Sequence, residues 1–285
     1  MILVGSMKKN KILFTGGNGF IGRQIIPLLE KSGWEVVRPR SSQVRLEVDG
    51  EVSTLFREQH YAAIIHAAIV GGRRDVDDSH TVFYKNMCMF ETLFKYVKHT
   101  NLFINFDSGA SYGRPSPVEQ PTPEDFGKII PADSYGFSKY CIAKRVLSHP
   151  KGINLRVFGC FGQYEESTRF FNTNINNYIN KKDIHIYKDR KIDFIYANDL
   201  YKIVEYYLNG NQGSKDINCV YSKKYKLSEI ASLINNLEDY KVNIDIESKY
   251  SEFPYCGSSN NLPIEYEGLE KGIRDCYEYF CQRNI

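Results

Sequence analysis

The sequence predicts an α/β fold, a doubly wound parallel sheet followed by a smaller C-terminal lobe, and three observations carry that expectation. An apolar, β-prone run, Ile12-Leu13-Phe14, passes at once into the glycine-rich turn Thr15-Gly16-Gly17-Asn18-Gly19-Phe20-Ile21-Gly22. An amphipathic segment follows, with Ile21, Ile25, Leu28 and Leu29 at roughly helical spacing. Apolar strand-like runs then alternate with helical patterns to about residue 158, beyond which the pattern loosens. A chain of 285 residues is long enough for one full α/β domain and a lobe that covers its cleft.

A strand, a tight glycine turn and a helix in that order make a dinucleotide-binding site. Gly16 allows the turn, Gly19 lets backbone N–H groups approach a pyrophosphate, and Gly22 lets helix and strand pack closely. The helix N-terminus adds partial positive charge. Gly16, Asn18, Gly19, Phe20, Ile21 and Gly22 are therefore candidate cofactor contacts, and the sheet is expected to be Rossmann-type. Residues 7–158 form the expected cofactor domain, with a segment near 190–210 returning to it, and residues 159–285 mainly the substrate lobe.

In chain order, Trp34-Glu35-Val36-Val37 reads as the second strand and ends in Arg38-Pro39-Arg40-Ser41-Ser42. An acid at that tip would accept hydrogen bonds from the ribose of NAD, whereas arginines and serines suit the 2′-phosphate of NADP. Arg38, Arg40 and Ser41 thus predict NADP(H), with NAD as the alternative and a solvated basic turn as the bland reading. Residues 52–59 read as a helix. The run Ala63-Ile64-Ile65-His66-Ala67-Ala68 reads as a buried strand whose small end, Ala67 and Ala68, leaves room for a cofactor. His66 reads as a structural histidine, and the basic loop 69–74, with Arg73 and Arg74, as a diphosphate contact or an ordinary solvated loop.

Residues 84–99 have helical periodicity and 102–106 form the next strand, running into Asp107-Ser108-Gly109-Ala110-Ser111-Tyr112-Gly113. Residues 114–134, rich in proline and acid, read as a loop, and a helix capped by Asp133 begins near Ser134. Residues 153–157 read as a further strand, with Val157 and Phe158 at the cofactor. Helices are expected at 170–179, 198–208, 226–237 (capped by Ser228) and 269–281, strands at 184–187 and 192–196, and irregular chain over 245–263.

Tyr135 and Lys139 stand four apart on a helix, so their side chains share one face. A phenol, with a pKa of about 10, is a poor proton donor or acceptor near neutrality. A neighbouring ammonium favours phenolate and can also hydrogen-bond a cofactor ribose. Ser108, at the end of the preceding strand, offers a hydroxyl to a substrate carbonyl. Ser108, Tyr135 and Lys139 beside a nicotinamide make a proton relay for ketone–alcohol interconversion, with Asp107 adjacent.

On these motifs, and on Ile192-Asp193-Phe194-Ile195-Tyr196-Ala197-Asn198-Asp199-Leu200, the chain resembles the extended short-chain dehydrogenases/reductases of the NAD-dependent epimerase/dehydratase type, from about residue 11 onward. Val37-Arg38-Pro39-Arg40 and His66-Ala67-Ala68-Ile69-Val70-Gly71-Gly72 most resemble the GDP-L-fucose synthase-like 4-keto reductases. The resemblance implies NADPH-dependent reduction of the C4 keto group of a nucleotide-diphospho-(6-deoxy)sugar, as in deoxysugar and surface-polysaccharide synthesis. It also implies substrate contacts from Ser108, Gly109, Ser111, Tyr112, Arg169 and Asn174. Gly109 and Ala110 replace the acid–base pair of the dehydratases, and Ala110 also replaces the epimerising cysteine of the synthases. No histidine occupies the segment Arg169-Phe170-Phe171-Asn172-Thr173-Asn174, so reduction without epimerisation is expected. Gly159 stands for the usual substrate-contacting Asn and Ile192 for the usual Arg, whose phosphate contact Arg190 or Lys191 is expected to take over. The alternatives are a 4-epimerase with tightly bound NAD and a non-catalytic sensor of NADP(H).

A net charge of +3 and the lack of any long basic run argue against nucleic acid as a partner. The apolar runs are too short to span a bilayer. Residues 1–6 are too few for a signal peptide and read as a vector remnant or an alternative start before Met7. Seven scattered cysteines without a C-x-x-C argue for reduced thiols in a cytoplasm and against zinc. A homodimer is a weaker expectation, through helices beginning near Tyr84 and Tyr135, with Phe90, Phe94, Ile142 and Val146 either as apolar interface material or as part of the monomer core.

Overall fold

The computed structural model describes residues 11–57, 59–72, 78–113, 118–248, 253–259 and 262–283. Arg73, Arg74 and the stretch before Lys11 lie outside the described residues. Along the chain run β1 (Lys11–Thr15), α1 (Phe20–Lys31), β2 (Glu35–Val37), α2 (Asp49–Thr54), β3 (Tyr61–His66), α3 (Thr81–Phe94) and β4 (Thr100–Ser108). Then come β5 (Val118–Glu119), α4 (Ser134–Leu147), β6 (Gly152–Val157), β7 (Cys160–Phe161), α5 (Phe170–Ile179), β8 (Ile184–Lys188) and β9 (Ile195–Tyr196). The remainder is α6 (Ala197–Leu208), β10 (Asp216–Cys219), α7 (Leu227–Asn235), β11 (Ile244–Ser248), β12 (Tyr255–Cys256) and α8 (Leu269–Arg283).

Six strands pair in parallel in the order β10-β6-β4-β3-β1-β2. Parallel strands covered on both faces have no polar side, which is why Leu13, Ile64 and Phe103 are as fully buried as Ile12, Ile65 and Ile104. One face packs Ile25, Ile26 and Leu29 of α1 with Leu200, Ile203 and Val204 of α6. The other packs Phe90, Leu93 and Phe94 of α3 with Ile142 and Val146 of α4. Each such side chain contributes about 1.5–3 kcal/mol by leaving water. Phe90, Phe94, Ile142 and Val146 are thus the monomer's own core, at most 3% exposed, and not material for a subunit interface. The strand order reverses between β1 and β3, and at such a switch point the loops leave opposite faces and open a crevice at the strands' C-terminal ends.

Several boundaries differ from the sequence expectations. The helix expected over 52–59 is α2, from Asp49 to Thr54, and that over 84–99 is α3, beginning at Thr81 and followed by a short 3-10 turn at Val97–His99. The sixth sheet strand, β10, comes from a segment with no strand signal of its own; pairing to β6 defines it. The supposedly irregular stretch 245–263 carries β11 and β12, paired to β8 and to β5. β9 is shorter than the expected strand, since Ile192 makes only an isolated bridge to Tyr255. Ser228 does not cap α7: Lys226 is the N-cap residue, and Ser228 donates both its N–H and its hydroxyl to Asp189.

The lobe's own core gathers Phe161, Phe171, Tyr178, Tyr196, Ile230 and Ile273 from distant segments. Two acids of the late motif tie its segments together. Asp193 accepts from Lys224 Nζ at 2.7 Å and Gly257 N at 2.8 Å. Asp199 accepts from Glu267 N at 2.7 Å and Gly268 N at 2.9 Å. No helix among the described residues is long and apolar enough to cross a membrane. All seven cysteines are free thiols.

Candidate active site

A cavity of about 630 Å³ opens at the switch point, within the size range of small-ligand sites. At its floor lies the glycine turn. Gly16 adopts φ +74°, and Gly19 N–H closes the turn on Gly16 C=O at 3.0 Å. A Cβ on Gly16 would stand 2.6 Å from the Ala67 carbonyl carbon, and one on Gly22 2.5 Å from Gly17 Cα. Both glycines are required by close approach, one of turn to β3 and one of α1 to the turn. Asn18, Phe20, Ile21, Ala67 and Ala68 join these glycines on the wall. Volume, switch point and side-chain-free turn together fit a dinucleotide, whose pyrophosphate would lie on the first turn of α1.

Ser108, Tyr135 and Lys139 stand on the far wall. Ser108 ends β4, and its Oγ accepts from Ala110 N–H at 3.2 Å, so its own proton is left to donate elsewhere. Asp133 caps α4 by accepting from Gly136 N–H at 2.8 Å, which fixes the helix start and therefore the placement of Tyr135 and Lys139. Lys139 is 5% exposed, and its Nζ donates to Phe106 C=O at 2.6 Å and lies 5.9 Å from the Tyr135 ring centroid. Burial pulls its pKa down to about 8, against the pull of the Asp107 carboxylate. His66 shares a hydrogen bond of 2.8 Å with Thr15, and burial, aided by the Lys139 charge, holds it down at about 3. It is neutral at any ordinary pH and makes no base.

Ser108, Tyr135 and Lys139 line the same cavity as the glycine turn, together with Asp107, Val157, Phe158, Gly159 and Arg169. At the other end Pro39 and Ser41 reach the wall, with Arg38 and Arg40 exposed on either side of Pro39. Other candidates lie off the wall. Gly109 is packed under Phe158 and the Tyr255 hydroxyl, which a Cβ would meet at 2.5 and 2.8 Å. Ser111 is buried and donates to Asp107 Oδ2 at 2.9 Å, and Tyr112 donates to Asn218 Oδ1 at 2.9 Å. Asn174 spends both ends of its amide on the His185 backbone, at 2.8 and 3.1 Å, joining α5 to β8. Arg190 and Lys191 sit in the lobe, where Arg190 C=O accepts from Leu227 N–H at 3.1 Å and Lys191 bridges Lys226.

Sequence reasoning missed several contributors. A Cβ on Gly72 would lie 2.5 Å from the Tyr135 ring, so the Gly71-Gly72 loop packs straight onto the phenol, and Asp78 accepts from Gly72 N–H at 2.8 Å. Asn86, buried in α3, clasps both backbone groups of Val70 and donates to Ser138 at 3.1 Å. A lone Asn among the apolar positions of that helix was its only signal. Val44, Leu46, Glu47 and Met89 complete the wall. Cys160 also lines it, but burial raises its thiol far above the ordinary value, so it offers no thiolate. Gly159 has no room for the side chain expected there, since a Cβ would meet Phe194 at 2.6 Å.

Comparison with known proteins agrees with this architecture. The chain is 23% identical over 255 residues to the GDP-L-colitose synthase of Yersinia pseudotuberculosis, covering 81% of this chain and 83% of that one. The structure superposes on a GDP-mannoheptose C4 reductase from Campylobacter jejuni, solved with NADP bound, with a TM-score of 0.81 at 17% identity, over 97% of this chain and 100% of that one. It superposes on the UDP-glucose 4-epimerase of Thermotoga maritima with a TM-score of 0.77 at 18% identity, over 96% and 100%. At such identities the superpositions establish the fold. Residues 12–219 match the NAD dependent epimerase/dehydratase family, and the chain belongs to that family.

Proposed function

We propose that the protein reduces the C4 keto group of a nucleotide-diphospho-sugar with NADPH. The observation that carries this reading is one cavity walled by the glycine turn at one end and by Ser108, Tyr135 and Lys139 at the other. The bound dinucleotide supplies the hydride. Ser108 directs its hydroxyl proton at the carbonyl oxygen and polarises it. Tyr135 gives the proton that completes the alcohol, and the Lys139 ammonium stabilises the phenolate left behind. The names of the relatives, a colitose synthase and a heptose C4 reductase acting on GDP-linked sugars, support the substrate class.

Support for reduction without epimerisation comes from what stands beside Ser108. Gly109 and Ala110 carry no group able to exchange a proton, and the Phe158 ring fills the space a side chain at 109 would need. Arg38, Arg40 and Ser41 support NADP(H) over NAD. A 4-epimerase with retained NAD would use the same three residues, and it is separated by stoichiometry. Incubation with NADPH and a panel of CDP-, GDP-, dTDP- and UDP-linked 4-keto-6-deoxy sugars is expected to consume one NADPH per sugar. Tyr135→Phe is expected to lose at least about a thousandfold in kcat while still binding NADPH. Interconversion of C4 epimers with no net loss of nicotinamide absorbance refutes the reductase reading.

A further inference from the structure

We propose that residues 162–169 form a strap across the glycine turn, that Arg23 fastens this strap to α1 at Tyr164, and that the fastening sets how fast a bound dinucleotide leaves. The inference rests on the cofactor site given above and adds Arg23 and Tyr164 to it as positioning residues.

The strap joins β7 to α5, and the residues at its two ends, Phe161 and Phe171, are buried in the lobe's core. Between them the chain forms turns but no helix or strand. Its second half is held from the lobe side. Glu165, itself buried, accepts from Asn172 N–H through Oε2 at 3.2 Å, and its backbone carbonyl accepts from Asn172 Nδ2 at 2.8 Å. Thr173 Oγ1 donates to Ser167 C=O at 2.7 Å. Glu166 and Arg169 reach the cavity wall, so the strap borders the same space as Gly19 and Gly22.

The first half is held by α1. Arg23 belongs to the first turn of that helix, directly after Gly22, and its N–H donates to Gly19 C=O at 2.9 Å. Its Nη2 donates to Tyr164 C=O at 2.9 Å, and its guanidinium carbon lies 5.8 Å from the Tyr164 ring centroid. The same ring meets Tyr279 of α8 edge-on, with centroids 5.7 Å apart. Gln24, the next residue of α1, packs against Gly162, where a Cβ would stand 3.0 Å from its Oε1. Tyr164 thus joins α1, the helix expected to face a pyrophosphate, to the last helix of the lobe. Arg23 is exposed, so its bond competes with water and opens far more readily than the buried anchors of the second half. A dinucleotide lying on the first turn of α1 is enclosed while the tie holds and is free to leave when it opens.

The test uses NADPH without any sugar. Protein loaded with NADPH is mixed with excess NADP⁺ in a stopped-flow fluorimeter, and the loss of nicotinamide fluorescence gives the dissociation rate. Arg23→Ala should raise that rate about tenfold, the scale of one lost charge-assisted hydrogen bond, with the association rate little changed. Tyr164→Ala keeps the Arg23 charge but removes the ring between α1 and α8, and it should raise the rate about threefold. Hydrogen exchange read by mass spectrometry follows the strap itself. NADPH should slow exchange over residues 162–169 in the native protein and not in Arg23→Ala. An unmoved dissociation rate in either variant overturns the proposal. So does a faster rate in Arg23→Ala with strap exchange still slowed by NADPH, since Arg23 would then act on the phosphates directly. A protein that takes up no NADPH refutes the cofactor reading and the strap together. One that meets both expectations and reduces no keto sugar keeps the strap and loses the reductase.

Discussion

The two ends of the cavity are built on different principles. At the Tyr135 end Lys139 is bonded to the β4 backbone and Asp107 to Arg156 in buried bonds, and Asp133 fixes the start of α4. At the Arg38–Leu46 end the backbone is turned mainly by local contacts, such as Arg40 N–H to Gln43 Oε1 at 3.0 Å and Val44 N–H to Arg40 C=O at 2.9 Å, with exposed arginines outside. Groups that move protons need fixed distances, because a displacement of about 1 Å can cost two orders of magnitude. Groups that grip a phosphate by charge tolerate looser placement. On the proposed roles, the contrast should make the Tyr135 end sensitive to single methyl groups and the outer end sensitive to charge.

The strongest blow to the rigid end is Gly72→Ala, whose new methyl would meet the Tyr135 ring at 2.5 Å on a backbone at φ +79°. It should lower kcat by about a hundredfold with little change in NADPH affinity, read by steady-state kinetics and fluorescence titration. An unaffected kcat would mean the loop does not set the phenol's position. At the loose end, Arg38→Ala with Arg40→Ala should raise the KM for NADPH about tenfold and leave that for NADH nearly unchanged. Equal effects on both cofactors would show that the arginines do not read the 2′-phosphate.

A smaller effect concerns stability. The folded pKa of Lys139 lies below its unfolded value of 10.5, at about 8, so folding disfavours the ammonium. Between those values the unfolded chain binds more protons, and stability rises with pH through that window; below it the full penalty applies. Lys139→Met should therefore abolish reduction yet raise stability at neutral pH by on the order of 1–2 kcal/mol, read as a higher denaturation midpoint. A less stable Lys139→Met protein would show that the bond to Phe106 outweighs the burial of charge.

How much was legible in advance follows from the range of the forces involved. The glycine turn, the Tyr135–Lys139 spacing and the Asp133 cap are encoded within a few residues, because turn geometry and helix periodicity are local. β10 and β12 were not legible, since Asp216–Cys219 and Tyr255–Cys256 become strands only through partners far away in the chain. Asn174 matched a substrate-binding position by neighbourhood, but its amide is taken by the His185 backbone, a bond that no spacing rule exposes.

By itself, then, the sequence determined the fold class, the glycine turn and the identity of the three residues that line the cavity's far wall. Tertiary structure alone decided which side chains stand behind them. Asp107, Arg156 and Asp216 lie on three strands that are adjacent only in the sheet, and only there does burial make their charges matter to one another. The physical reason is that electrostatic coupling depends on distance and desolvation, and neither is a property of position along the chain.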